Sequence, residues 1–326
     1  MTTRITGSGS HLPATCLTND DLTLRVDTSD EWIVQRTGIR TRFLLREDEL
    51  PSNMGVKAGC QALESAKAAA SDVDLLVVAT NFPDMICPGS APFIAQELGL
   101  GSTPFFDLKA GCTGFVYGLV VADGLIRANL FHRVLLVGME ALSRVTDWDD
   151  RRTCVLFGDG AGAVLLDSSG PETTGILGTA LFGAPDKTLL LHMPGGGTRM
   201  PASVETLAGG AHYLKMEGSG VFRHAVPMME SATHAALEAA DLSLSEVDWV
   251  IPHQANARIV DSLVRRLGVS PERVIVNLDR VANTSTASIP IAFDEARRDG
   301  RIQDGDIVIM TAFGAGVTYG AVALRA

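Results

Sequence analysis

Val247-Asp248-Trp249-Val250 restates Val73-Asp74-Leu75-Leu76, and Ile307-Val308-Ile309 restates Arg133-Val134-Leu135, with the same offset along the chain from 73 to 247 as from 133 to 307. Each of these belongs to an apolar run of strand length: 74–79 (DLLVVA), 133–138 (RVLLVG), 247–252 (VDWVIP) and 306–311 (DIVIMT). Alanine-rich helical patterns lie among them at 53–70, 113–129 and 224–240. Buried strands alternating with helices specify an α/β protein. A repeat of this length implies a duplicated domain rather than a solenoid unit. Strands resemble one another, so coincidence is the competing explanation, and the shared offset favours duplication. Gly162-Ala163-Val164 also matches Gly320-Ala321-Val322, at a smaller offset. The expected halves are 1–170 and 171–326, meeting across a pseudo-twofold axis so that equivalent loops build one active site.

With 326 residues, 46% of them hydrophobic and 20% charged, the composition is that of a soluble globular chain. No apolar run reaches the roughly 18 residues of a membrane span. The N-terminus MTTRITGSGS has neither a charged n-region nor an apolar h-region, so the expected address is cytoplasmic. Cys16, Cys60, Cys87, Cys112 and Cys154 are odd in number, scattered and without a CxxC pair. Neither a disulfide framework nor a metal site is expected. A formal net charge of −11 argues against nucleic acid or an anionic membrane as partner. Against that background any cluster of arginines carries more information.

Three segments have the make-up of reactive sites. In Asp107-Leu108-Lys109-Ala110-Gly111-Cys112-Thr113-Gly114-Phe115 an extended run gives way to a helical pattern. Cys112 therefore falls on a strand-to-helix turn, where free backbone N–H groups stabilise a thiolate and form an oxyanion site. A buried cysteine packing as a small hydrophobe is the other reading of this segment. In Val250-Ile251-Pro252-His253-Gln254-Ala255-Asn256 a strand ends at proline, and His253 stands on the C-terminal edge where α/β sheets place their sites. A lone histidine is more often structural. Asn283, in Ala282-Asn283-Thr284-Ser285-Thr286-Ala287, precedes small residues that open a helix, and an ordinary helix cap would also look like this. The glycines of Phe157-Gly158-Asp159-Gly160-Ala161-Gly162 suggest a nucleotide-binding module. A strand pattern rather than a helix follows them, so they read as a turn between strands.

Together these segments resemble the β-ketoacyl-acyl-carrier-protein synthase III family of the thiolase superfamily. The likeness runs through VDTSDEWIVQRTGIR (26–40), AGCTGF (110–115), CVLFGDGAGAV (154–164), PHQANARI (252–259), NTSTASIP (283–290) and FGAGVTYGA (313–321). The resemblance implies a five-layered αβαβα thiolase fold and a homodimer. It implies that Cys112 is the acylated nucleophile, that His253 and Asn283 steer decarboxylation, and that the backbone amides of Cys112 and Ala315 form the oxyanion hole. By the same resemblance Trp32 and Arg151 sandwich the coenzyme A adenine, while Thr28, Arg36 and Asn256 line the coenzyme tunnel. Cys87 corresponds to a position from which the partner subunit closes the far end of the acyl pocket. A cysteine there is small and implies a deeper pocket, unless another side chain blocks the channel.

The implied reaction is a decarboxylative Claisen condensation. An acyl-CoA loads Cys112, and malonyl-acyl-carrier protein then supplies the attacking carbanion, with no metal or redox cofactor. Cysteine suits thioester exchange because its acyl form is itself a good leaving group. A neutral histidine and an asparagine amide offer donors to a developing enolate. Arg258, Arg265 and Arg266 share a helix face, and Arg223 joins them by family position. On a chain this acidic the expectation is a docking patch for the acidic carrier protein; the plainer reading is a solvated helix surface. Thr113, with Lys109 just upstream, and Tyr319 depart from the family's commoner residues. They leave room for a specialised homologue that joins two unusual acyl chains, or passes the acyl group to an alcohol or amine.

Overall fold

The repeated Val-Asp dipeptides have a structural cause. Asp74 Oδ2 accepts the backbone N–H groups of His132 and Arg133 at 2.6 and 3.1 Å. In the same way Asp248 Oδ2 accepts the N–H of Ile307 at 2.8 Å. Each aspartate thus satisfies a donor left free where the neighbouring strand begins. The computed structural model describes residues 2–168 and 174–326, so the expected boundary at 170/171 lies outside the described residues.

The first sheet comprises β1 (Arg4–His11), β4 (Leu75–Ala79), β5 (Phe105–Leu108), β6 (Arg133–Ala141) and β7 (Asp159–Asp167), in the order β1-β7-β6-β4-β5. β2 (Thr15–Thr18) and β3 (Thr41–Leu44) form a separate antiparallel pair. The second large sheet, of β8 (Gly175–Gly183), β11 (Trp249–Pro252), β12 (Ile307–Gly314) and β13 (Thr318–Arg325), runs β11-β12-β13-β8. A short pair, β9 (Leu191–His192) and β10 (Lys215–Met216), completes the strands. Register repeats as well as order. Leu75 faces Val134 in the first sheet, and at the repeat offset Trp249 faces Val308 in the second.

Alternation along the strands sorts side chains into layers. Leu75 and Val77 join an apolar cluster with Val308 and Met310 of the opposite sheet. Between the sheets, in that cluster, lie α5 (Gly114–Arg127) and α10 (Ser288–Arg298). Leu76 and Val78 turn the other way, onto α3 (Pro51–Ala66) and α4 (Ala91–Leu98). On the outer face of the second sheet Ile307 and Ile309 pack against α7 (Gly218–Ala239), with α8 (Ala257–Leu267) packed beside it. Helix, sheet, helix, sheet, helix is the expected five-layer order. Four shorter helices, α1 (Asn19–Thr23), α2 (Asp30–Thr37), α6 (Val204–Ala208) and α9 (Leu278–Val281), belong to the connections. The fully buried Arg42 ties one of them down, donating to Asn19 Oδ1 at 2.8 Å and the Val155 carbonyl at 3.0 Å.

Two sequence expectations are corrected here. Helix α7 begins at Gly218, ahead of the expected start at 224, because Gly218 and Gly220 are accommodated within it. The Gly160 and Gly162 pair lies inside β7 rather than in a turn, and β7 continues without opening a helix, which removes the nucleotide-binding reading. These glycines are small because α10 presses on the strand. A Cβ at Gly162 would lie 2.7 Å from Pro290 Cβ and 2.8 Å from the Ile291 nitrogen. Gly162→Ala is therefore expected to cost about 2 kcal/mol and lower the thermal midpoint by about 5 °C. An unchanged midpoint in a melting experiment would show that strand and helix are not tightly apposed.

Candidate active site

Two backbone turns meet at the C-terminal ends of the strands. One links β5 to α5 and carries Cys112; the other links β12 to β13 and carries Ala315. Their approach excludes side chains. A Cβ on Gly111, which sits at φ +60°, would fall 2.5 Å from the Ala315 nitrogen, and one on Gly314 would fall 2.4 Å from the Cys112 nitrogen. The contact is held by hydroxyls: Thr318 Oγ1 donates to the Ala110 carbonyl at 2.8 Å and lies 2.7 Å from Thr113 Oγ1, which donates to the same carbonyl. Thr113, a departure from the family's commoner residue, is thus a clamp on the cysteine turn. The result is that the backbone amides of both Cys112 and Ala315 hydrogen-bond toward the Cys112 sulfur.

His253 follows directly on β11, with its backbone N–H donating to the Thr311 carbonyl at 2.8 Å. Its Nδ1 lies 2.7 Å from Ser288 Oγ at the start of α10. Burial lowers its pKa to about 4, so the ring is neutral at physiological pH. Asn283 is fixed by its neighbours on both sides: its N–H donates to the Leu156 carbonyl and its own carbonyl accepts from Gly158. Its side-chain oxygen accepts the Ser285 N–H at 2.9 Å, which leaves the NH₂ end as a donor. This is a local turn, not the cap of a helix that begins at Asn283.

Cys112, His253 and Asn283 line a common cavity of about 490 Å³. A second cavity of about 840 Å³, bordered by Leu142, Leu214, Ile86 and Pro88, also reaches Cys112. The sulfur therefore stands where the two spaces meet. Cys87 is exposed and its side chain is not part of its own chain's cavity wall, although Ile86, Pro88 and Gly89 are.

Comparison with known proteins places this geometry. Residues 106–184 match the family model for 3-oxoacyl-acyl-carrier-protein (ACP) synthase III, and residues 237–326 match the model for its C-terminal part. A β-ketoacyl-acyl-carrier-protein synthase III of Symbiobacterium thermophilum is 46% identical over 321 residues, covering 98% of this chain and 97% of the relative. The chain belongs to the β-ketoacyl-acyl-carrier-protein synthase III family. Among solved structures, the 3-oxoacyl-acyl-carrier-protein synthase III of Aquifex aeolicus superposes with a TM-score of 0.92 at 41% identity, over 99% of this chain and 100% of that one. A priming β-ketosynthase from a polyketide biosynthetic pathway gives 0.91 at 35% identity, over 99% and 96%. The five layers are those of the thiolase fold. OleA of Xanthomonas campestris, at 18% identity and a TM-score of 0.87, shares that fold.

Around the synthase III site the other expected residues separate into two groups. Arg36 and Asn256 line the smaller cavity with Cys112. Asn256 also caps α8, its side-chain oxygen accepting the Arg258 N–H, and donates to the Arg36 carbonyl at 3.1 Å. Trp32 lies outward of them, flanked by the guanidinium groups of Arg36 and Arg151 at 5.6 and 5.2 Å from its ring centre. Arg151 is held by the Asp27 carbonyl at 2.7 Å, and the Thr28 hydroxyl is buried without a partner. Arg258 stands at the cavity rim over the Phe222 ring, next in sequence to Arg223. Arg265 and Arg266 continue along α8, where Arg266 is paired with Glu230 at 2.6 Å.

Two neighbours of the sulfur were not singled out from the sequence. Ser285 Oγ lies 3.4 Å from Cys112 Sγ and 3.4 Å from Glu140 Oε1. Glu140 is completely buried at the end of β6. A lone carboxylate closing an otherwise apolar strand, VLLVGME, was the available signal.

The expectation of a thiolate stabilised by the helix start is corrected by the surroundings. Burial raises the Cys112 pKa to about 11, and the nearby Glu140 carboxylate adds to the rise. These outweigh the lowering by Ser285 and the two amides, so the resting group is a thiol. Iodoacetamide at neutral pH should therefore label the exposed Cys16, Cys60 and Cys87 before Cys112. The Cys112 rate should climb as pH rises toward about 11, followed by peptide mass spectrometry. Preferential labelling of Cys112 at pH 7 would contradict the resting thiol.

Proposed function

We propose that this chain is an acyltransferase that condenses an acyl-CoA, through an acyl-Cys112 intermediate, with malonyl-acyl-carrier protein to give a β-ketoacyl-carrier protein. The observation that carries the reading is the position of the sulfur: at the junction of two cavities, under two converging amides, with His253 and Asn283 on the same wall.

In the first half-reaction Cys112 attacks the thioester carbonyl and CoA leaves. The Cys112 and Ala315 amides accept the charge that develops on the carbonyl oxygen. The acyl chain extends into the larger cavity and the pantetheine arm occupies the smaller one, past Arg36 and Asn256. Trp32 and Arg151 hold the adenine, with Thr28 beside them. In the second half-reaction malonyl-acyl-carrier protein takes the CoA route. In this reading Ser288, 2.7 Å from Nδ1, donates to it, and the neutral imidazole of His253 carries its proton on Nε2. That N–H and the Asn283 NH₂ stabilise the enolate oxygen as CO₂ departs. The carbanion then attacks the acyl-cysteine. A charged histidine would instead attract the malonyl carboxylate and oppose its loss, which is the use of a ring held neutral by burial. These steps need neither a metal nor a redox cofactor.

Several coarser features fit this reading. No helix among the described residues is long and apolar enough to cross a membrane; we propose a cytoplasmic enzyme. The repeated strand order and register support an origin by duplication into halves 1–170 and 171–326. Strand β5 is an open edge of the first sheet, and Phe105 on it is 45% exposed while nearby Ile86 is 87% exposed. An uncovered apolar edge favours pairing with a second copy. We propose a homodimer across it, which would bring Cys87 of one subunit to the acyl cavity of the other.

Roles separate by half-reaction. Incubation of the wild type with a panel of acyl-CoAs should add an acyl mass on Cys112, and Cys112→Ser should add none. Asn283→Ala should load normally yet condense about 10²–10³-fold more slowly, as expected for loss of one oxyanion donor. Normal condensation by Asn283→Ala would remove its assigned role, and an adduct on Cys112→Ser would remove that of the cysteine.

Carrier docking falls to Arg223, Arg258 and Arg265, with Arg266 partly neutralised by Glu230. Arg223→Glu combined with Arg265→Glu should raise KM for the carrier-linked substrate several-fold and flatten its salt dependence, leaving CoA loading unchanged. Equal losses in both half-reactions would argue against a docking patch.

A further inference from the structure

The proposed reaction leaves one question of proton balance open. Cys112 rests as a thiol and must lose its proton as it attacks. The histidine on the same wall is held neutral with a pKa of about 4, which makes it a poor acceptor at physiological pH. Besides the two backbone amides, the Ser285 hydroxyl lies within hydrogen-bond distance of the sulfur. Ser285 is held at φ +52°, a left-handed conformation uncommon for any residue but glycine, by the bond from its N–H to Asn283. That conformation sets Oγ midway between the sulfur and a buried carboxylate. Asn81 Nδ2 donates to Ser285 Oγ at 3.3 Å. The hydroxyl's own proton is therefore free to go to the sulfur or to the carboxylate.

We infer that Glu140 accepts the Cys112 proton through Ser285 during acyl loading, keeps it while the acyl-enzyme exists, and returns it when condensation releases the sulfur. The inference rests on the reading of Cys112 as the acyl carrier. In loading, the S–H bond breaks and the proton passes to Ser285 Oγ as the Ser285 proton passes to Glu140. One carboxyl O–H bond forms. The electron pair left on the sulfur makes the new C–S bond, and the C–S bond to CoA breaks, the coenzyme leaving as a thiolate that takes its proton from solvent. In condensation the malonyl carboxylate leaves as CO₂, and its electron pair forms the C–C bond. The C–S bond to Cys112 then breaks, and the sulfur recovers the proton held by Glu140. The enzyme ends as it began.

The surroundings of Glu140 suit a group that changes charge once per turnover. Asn81 gives it a backbone N–H at 2.9 Å and a side-chain N–H at 2.5 Å, and the Phe82 N–H also donates to it. Thr80 and Thr286 place hydroxyls at 3.5 and 3.4 Å. These donors hold the carboxylate, while burial opposes it and raises the pKa to about 7. The titratable group facing it, from the β5–α5 turn, is Cys112 itself. A carboxyl that titrates near 7 is matched to proton exchange at physiological pH. Return of the proton is favoured because the free sulfur binds it more tightly than the carboxylate does.

The test is the pH dependence of single-turnover acyl loading, read as mass on Cys112. The acceptor must be ionised, so the wild-type rate should rise with pH through about 7 and then level. In Glu140→Gln loading should fall about a hundredfold or more at pH 7.5. The inflection near 7 should vanish, leaving a rate that climbs with pH as Cys112 itself ionises. Ser285→Gly, whose φ glycine adopts freely, should show the same loss with the carboxylate still present. Wild-type rates and an unmoved inflection in either variant overturn the relay. So does a wild-type profile flat between about pH 6 and 8, which needs no variant to fold. Adducts on Cys112 with an unaltered profile defeat the relay alone, whereas adducts on another residue defeat the relay and the proposed function together.

Discussion

The site depends on the backbone contact between the Cys112 turn and the Ala315 turn. Glycines 111 and 314 allow the two chains to approach so closely that a single added carbon on either would collide with a peptide group of the other. Because the turns come from different sheets, this contact fixes how the sheets sit relative to one another as well as where the amides point. The apolar layer between the sheets buries a large cluster, but its attraction is non-directional. Two donors converging on one sulfur need a directional constraint, and the Thr113–Thr318–Ala110 hydrogen bonds provide it.

Burial pushes three groups, Cys112, Glu140 and His253, in the same sense: toward neutrality. The thiol rises, the carboxyl rises and the imidazole falls. A charge-free interior lets uncharged N–H donors act strongly on transient anions, because little solvent competes with them. Permanent charges are kept at the rim, where Arg36 and Arg258 border the smaller cavity. The division matches a substrate with an uncharged thioester at one end and phosphates at the other.

Much of this was legible in the sequence. The constant offset between the halves was visible because strands that must start in the same way carry the same residues, down to the aspartate that satisfies the neighbouring strand. His253 was legible because a proline marks the strand end, and Cys112 because small residues crowd a strand-to-helix turn. The misreadings came from contacts far apart in sequence. Gly160 and Gly162 looked like a loop, yet they make room for α10 against the middle of a strand. The helix expected to start at 224 begins at Gly218, because packing against the second sheet carries it across Gly218 and Gly220. The state of the Cys112 thiol could not be read from its turn. Its largest determinant is burial, which the tertiary fold sets and the turn alone does not.

The repeated register lets one scaffold supply unlike groups. Glu140 and Gly314 are related by the repeat offset and stand at corresponding ends of the central strands β6 and β12. At the first position a carboxylate lies behind the sulfur, screened by Ser285. At the second there is no side chain at all, and the absence is what admits the Cys112 amide, 2.4 Å from where a Cβ would stand. Cys112 and Thr286 are related by the same offset, near the starts of the two central helices, and a Cβ on Gly114 would touch Thr286 at 2.7 Å. One turn thus offers a thiol, while its counterpart offers a methyl and a hydroxyl that donates to the Ala79 and Met139 carbonyls at 3.0 and 3.1 Å. An attack on a thioester needs one sulfur and unlike groups around it, for the oxygen that gains charge and for the proton that is displaced. Equivalent frames with divergent ends meet that need: the frames fix the distances, and the ends are free to differ.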